Sequence, residues 1–217
     1  MGIALDAFWE MRLKDVQGRL EANNFEVYMA QNREQAGTTV LETILPSTKA
    51  ASVSFGGSAT FLATGLYEAF KNRTDLTVLD TLDKNVSPEE KVERRRQALL
   101  VDLFLTGTNA LTEDGRLVNL DMYGNRVGAI AFGPRNVVVL VGRNKLVHDL
   151  DEAMCRVKDL AAPANALRLN MKTPCVKTSF CQDCASPERI CNVWTITEKS
   201  FPKGRIKVVL INEDLGL

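Results

Sequence analysis

The chain has 217 residues, 45% apolar and 25% charged, enough to bury one substantial core but cramped for two full domains. Lys and Arg number 27 against 27 Asp and Glu, so no net field steers it toward nucleic acid or an anionic membrane, and aromatics at 6% offer no base-stacking platform. No stretch approaches the roughly 20 apolar residues of a membrane span, and the opening Met1-Gly2-Ile3-Ala4-Leu5, with Asp6 after it, matches neither a leader nor a myristoylation signal, so a cytoplasmic protein is expected.

Leu5, Phe8, Trp9, Leu13, Val16 and Leu20 recur at three- and four-residue intervals, predicting an amphipathic helix over about 5–23. A strand over 25–30 follows, and Asn32 and Gln35 at capping-box spacing open a helix expected to stop before Pro46. Residues 50–55 read as a strand entering Gly56-Gly57-Ser58, with a helix over 59–70 after it. Residues 76–79 are a further strand. Ser87-Pro88-Glu89-Glu90 supplies a cap, a first-turn proline and a capping-box glutamate for a helix to about Leu100, on which Arg94-Arg95-Arg96 and Glu89, Glu90 and Glu93 make a solvated face.

The apolar runs 101–106 and 137–141 suit a sheet covered on both faces. Residues 117–121 and 127–132, separated by Tyr123-Gly124-Asn125, predict a hairpin, and Leu146, Leu150, Met154, Val157 and Ala161 mark one stripe of a helix ending before Pro163. A last strand over 205–212 returns to the sheet, while 164–203 reads as an irregular lobe without a sheet of its own. This alternation predicts a mostly parallel, doubly wound α/β sheet in a single domain over 1–217, residues 164–203 forming a small cysteine-rich lobe within it.

Four of the five cysteines, Cys175, Cys181, Cys184 and Cys191, fall within 17 positions as C-x5-C-x2-C-x6-C. In a reducing compartment disulfides are disfavoured, and four thiolates joined by short loops suit an iron–sulfur cluster or a tetrahedral zinc. One C-x2-C flanked by single cysteines ranks the iron–sulfur cluster ahead of zinc, with free or disulfide-forming thiols as the remaining alternative.

Gly56, Gly57 and Ser58 at a strand's end let the backbone approach a ligand, although the same residues also make an ordinary tight turn. Thr106, Gly107, Asn109, Asn119, Asp121, Asn125 and Arg126 gather at further strand ends, where an open α/β sheet has its ligand crevice. Buried, the polar side chains of Thr106, Asn109, Asn119 and Asp121 must find partners. Asp121 is the candidate acid/base, and Lys145 is either an anion holder or a surface charge. His148 is the only histidine, and no P-loop, G-x-S-x-G or H-E-x-x-H motif occurs.

GGS at 56–58, TGTNALTEDG at 106–115, GNRV at 124–127, FGP at 132–134 and GRNKLV at 142–147 together resemble the LUD domain of lactate-utilisation proteins. PC, CQDC, SPERIC and GRI near the C-terminus resemble the cysteine-bearing branch of that family. The resemblance implies a fold related to ribose-5-phosphate isomerase and CoA transferases, with the cleft at the glycine-rich strand ends. It also implies a bacterial or archaeal setting and iron–sulfur electron-transfer partners of lactate oxidation. Isomerase relatives carry an acidic residue where Asn109 stands, and an amide is no general base. Three functions follow: a redox-associated accessory or subunit of organic-acid metabolism with a cysteine-bound metal and a small anionic ligand; an enzyme on a phosphorylated or CoA-linked molecule; or a non-catalytic interaction module.

Overall fold

Valine- and isoleucine-rich runs become strands here because β-branched side chains pack well on a pleated surface covered from both sides. The computed structural model describes residues 2–217, with side chains from Ala4 onward, so the readings made at Met1 and Gly2 lie outside the described side chains. Its strands are β1 (Glu26–Ala30), β2 (Ser52–Phe55), β3 (Thr77–Leu79), β4 (Leu103–Gly107), β5 (Ala110–Thr112), β6 (Leu117–Asp121), β7 (Asn136–Gly142), β8 (Leu146–Val147), β9 (Val193–Thr197) and β10 (Ile206–Ile211).

Six of them form one sheet in the order β1-β10-β7-β4-β2-β3, every neighbouring pair parallel. The fold is therefore a doubly wound α/β sheet. Its two faces are sorted residue by residue: Val137, Val139 and Val141 of β7 enter one core, Val138 and Leu140 the other. The first core is closed by Leu13, Val16 and Leu20 of the first helix, α1 (Gly2–Ala22). The second contains Phe55, fully buried, with ring centroids 5.0 Å from Phe61 and 5.8 Å from Phe70.

A second, four-stranded sheet has the order β8-β5-β6-β9. Its core joins Ala110, Val118 and Leu120 to Ala153 and Val157 of the late helix.

Six local expectations change. The helix opened by Asn32, whose side chain accepts the Gln35 N–H, does not stop before Pro46 but continues through 33–48. A π-helical segment, Thr39–Ile44, precedes the proline, and the Leu45 N–H bonds to Val40 O, five residues back. That wider turn accommodates a ring with no N–H to donate. The late helix repeats the device. It passes Pro163 and runs over 150–168, with π segment Val157–Ala161 and the Ala162 N–H on Val157 O.

Its buried stripe is rotated from the predicted one, for Met154 is 38% exposed while Ala153, Val157 and Ala161 are buried. The helix predicted over 59–70 breaks at Gly65, whose φ of +73° separates Ala59–Ala63 from Leu66–Lys71.

The predicted hairpin of 117–121 with 127–132 is replaced by a helix, Asn125–Ala131, entered through Gly124 at φ +86°. Val127 and Ile130 are one helical turn apart and both buried, so the run satisfies helical spacing. The true partner of β6 is β5, across the turn at Glu113-Asp114-Gly115. Finally, the lobe is not without a sheet, because its Val193–Thr197 is β9, antiparallel to β6 from Leu117↔Thr197 to Asp121↔Val193. Among the described residues no helix is long and apolar enough to cross a membrane.

Candidate functional site

After β2 the chain moves outward to β3, and after β4 it moves to β7 on the other side, so β2 and β4 meet at the sheet's switch point. Connections leaving in opposite directions open a crevice at the strands' carboxyl ends. A cavity of about 470 Å³ lies there. It is lined by Gly57 and Ser58 after β2, Gly107 at the end of β4 with Thr108 and Asn109 beyond it, Asp121 at the end of β6 with Asn125 beyond it, and Lys145.

Gly56 and Gly107 make the walls thin. A Cβ on Gly56 would sit 2.8 Å from Thr106 Oγ1 and 3.0 Å from Arg126 Cγ, and one on Gly107 would run into Ser58 Oγ. Gly57 instead faces open space. Ser58 caps the short helix after it, its Oγ accepting the Phe61 N–H at 3.2 Å.

Arg126 is buried and saturated. Its Nε donates to Asp121 Oδ1 at 3.0 Å, Nη1 to Gly107 O and Asn119 Oδ1, and Nη2 to Asn109 Oδ1 and Leu120 O. The guanidinium thus ties the ends of β4 and β6 together with all its donors used. Asp121 is equally committed, since its Oδ2 accepts the Gly124 N–H at 2.9 Å. Thr106 and Asn119 are fully buried behind the wall, and Asn119 Nδ2 has no partner among the described residues.

The cations facing the cavity besides Arg126 are Lys145, Arg95 and Arg168. Arg95 departs from the expected solvated face: Arg94 takes Glu90 and Asp83, whereas Arg95 lies over the Tyr123 ring at 4.4 Å. Arg168 donates to Asn165 Oδ1. No carboxylate pairs with Arg95, Arg168 or Lys145 among the described residues, and Asp121, the acidic side chain in the lining, is taken by Arg126. Arg95 and Arg168 therefore give the site surplus positive charge.

Lys145 is 4% exposed, and burial with Arg156 and Arg126 nearby pulls its pKa down to about 7.

A model of the family described as LUD domain matches residues 13–211. The chain belongs to the LUD-domain family. No curated protein matches it. A solved structure titled as a DUF162 family protein from Deinococcus radiodurans, at 1.70 Å resolution, is 14% identical over 94% of this chain and 97% of that one, with a TM-score of 0.49.

In this LUD domain, Gly57, Ser58, Gly107, Asn109, Asp121, Asn125, Arg126 and Lys145 line the cavity, while Gly56, Thr106 and Asn119 stand behind it. Arg95 was missed because its helix's charge pattern reads as solvated, and Arg168 because 164–203 reads as an irregular lobe; only the fold places both on the cleft.

Cys175, Cys181, Cys184 and Cys191 line a second, small cavity with Thr173 and Asp183, and all four are free. Arg189 pins the loop by donating to the Cys184 and Cys191 carbonyls and to Asp183. Burial pushes the Cys191 thiol up. Four soft donors around one space suit a thiophilic metal in chemistry, although no three Cys, His, Asp or Glu among the described residues are arranged to hold an ion. Ala162 and Ile190 belong to both cavities, so a single layer of side chains separates the thiols from the cleft. His148 is exposed and pairs with Glu113 at 2.9 Å, away from both cavities.

Proposed function

We propose that this LUD-domain protein binds a small organic anion in the switch-point cleft and serves organic-acid metabolism of the lactate-utilisation type as a redox-associated accessory or subunit. The observation that carries the reading is the surplus charge of Arg95 and Arg168 around a cavity of about 470 Å³. Arginines on a cavity wall without carboxylate partners are stabilised by an anion from solution. Met122, Leu62, Leu82 and Leu169 give the same cavity an apolar wall, which selects a compact organic anion over a bare inorganic one.

The thin wall between the cleft and the four cysteines supports the redox half of the reading. When bound there by Cys175, Cys181, Cys184 and Cys191, an iron–sulfur cluster would supply one-electron chemistry and a zinc ion structural support. Partners would then be iron–sulfur electron-transfer proteins.

A thermal-shift and calorimetry panel of lactate, pyruvate, sugar phosphates and CoA esters tests the ligand class. A carboxylate that raises the melting temperature in proportion to its occupancy supports the reading, and no shift from any carboxylate overturns it. A shift from phosphates or CoA esters alone moves the protein to the alternative of an enzyme on phosphorylated or CoA-linked molecules.

A further inference from the structure

Lys145 Nζ donates to Thr60 Oγ1 at 2.8 Å and to the Thr108 carbonyl at 3.0 Å. The Thr60 hydroxyl spends its own hydrogen on Leu215 O at 3.1 Å, so its oxygen is an acceptor for the lysine. Two acceptors are thus fixed in place, and no third acceptor and no carboxylate stands by the nitrogen among the described residues. A neutral amine has two N–H bonds and one lone pair, and this arrangement satisfies both hydrogens and leaves the lone pair free. An ammonium would keep one N–H unpaired in a buried site beside Arg126 and Arg156. Lys145 is also among the residues lining the cleft, the space that a ligand can enter.

We propose that Lys145 is a nucleophile that forms an imine with a small carbonyl compound bearing an anionic group, a 2-oxo acid or a phosphorylated aldehyde. The inference rests on the anion-binding reading of the cleft, with Arg95 and Arg168 holding the charged end. The lone pair attacks the carbonyl carbon, the C=O π electrons move to oxygen, and a carbinolamine forms. A C=N bond then replaces the C–O bond, and the two amine hydrogens leave with that oxygen as one water. No oxidant or reductant is needed. Thr60 and Thr108 are positioning residues that set the direction of the lone pair, and a desolvated lysine with no carboxylate partner is the usual environment for such chemistry.

The test is borohydride trapping. Full-length protein is incubated with pyruvate, or with glyceraldehyde 3-phosphate, then reduced, digested and mapped by mass spectrometry. The expected result is one reduced adduct on Lys145, formed ahead of adducts on exposed lysines such as Lys49 and suppressed by excess lactate or inorganic phosphate according to the class of anion bound. Pyruvate labelling assigns the carboxylate class, and glyceraldehyde 3-phosphate labelling the phosphate class. Lys145→Met removes the adduct, and should that variant fail to fold, peptide mapping of the unaltered protein still locates the modified lysine. No adduct on Lys145 from either probe, or labelling no faster than at Lys49, overturns the proposal. A melting shift with lactate but no adduct overturns the imine and leaves the anion site standing; neither shift nor adduct overturns both.

Discussion

Arg126 and Asp121 are joined at 3.0 Å, with side chains only 9% and 13% exposed, and this pair holds β6 against the end of β4 beneath the cleft floor. Arg126→Ala leaves the half-buried carboxylate of Asp121 and the amide oxygens of Asn109 and of buried Asn119 without their cation. The expected loss is about 3–5 kcal/mol of stability by urea denaturation, the range for breaking a buried pair from one side. Arg126→Lys restores little, because one ammonium cannot reach five acceptors. A loss below about 1 kcal/mol would show the pair to be no stronger than a surface bridge.

Lys145 makes stability depend on pH in a defined direction. Its folded pKa of about 7 lies below the ordinary 10.5, so between those values the unfolded chain holds a proton that the folded chain lacks. Stability of the wild type relative to Lys145→Met should therefore rise with pH through that window, with a slope approaching about 1.4 kcal/mol per pH unit, and be flat below it. Denaturation curves of both proteins from about pH 6 to about pH 9 check the sign.

Arg95→Gln and Arg168→Gln should each weaken the cleft's anion by about tenfold or more, the size of one charge-assisted hydrogen bond, with little effect on folding. Calorimetry with the carboxylate that gives the largest melting shift measures it. Arg96→Gln is the control, since Arg96 is 77% exposed and pairs with Glu93. Equal affinities in all three variants would place the anion elsewhere.

For the cysteine lobe, protein handled without oxygen should contain iron or zinc. Cys184→Ser and Cys191→Ser should each lower the metal-to-protein ratio, while Cys155→Ser, at an exposed helix position, leaves it unchanged. Metal analysis with an absorption spectrum separates the two metals. Wild-type protein free of both, with four alkylatable thiols, would end the metal reading.

Much of the architecture was legible locally. The caps at Asn32 and Ser87 work as their spacing predicts, each side chain accepting an N–H three residues on. The runs at β4 and β7 declared a sheet buried on both faces, and β10 returns to it as expected. The prolines misled because a π turn is a property of the hydrogen-bond ladder, with no residue of its own to announce it. Val193–Thr197 was hidden by its setting in a loop-rich stretch, although Val, Trp, Thr and Ile are strand-favouring residues.

By itself the sequence determined the family, the alternation of strands and helices and the glycine-bearing strand ends, since periodicity and turn chemistry act over a few residues. Tertiary structure alone decided that Arg95 and Arg168 turn into the cleft, that Arg126 is saturated rather than free, and that Lys145 stands buried with two acceptors and no counter-charge. Those outcomes depend on which groups from distant segments share a desolvated space, and desolvation, unlike local propensity, is set by everything that packs around it.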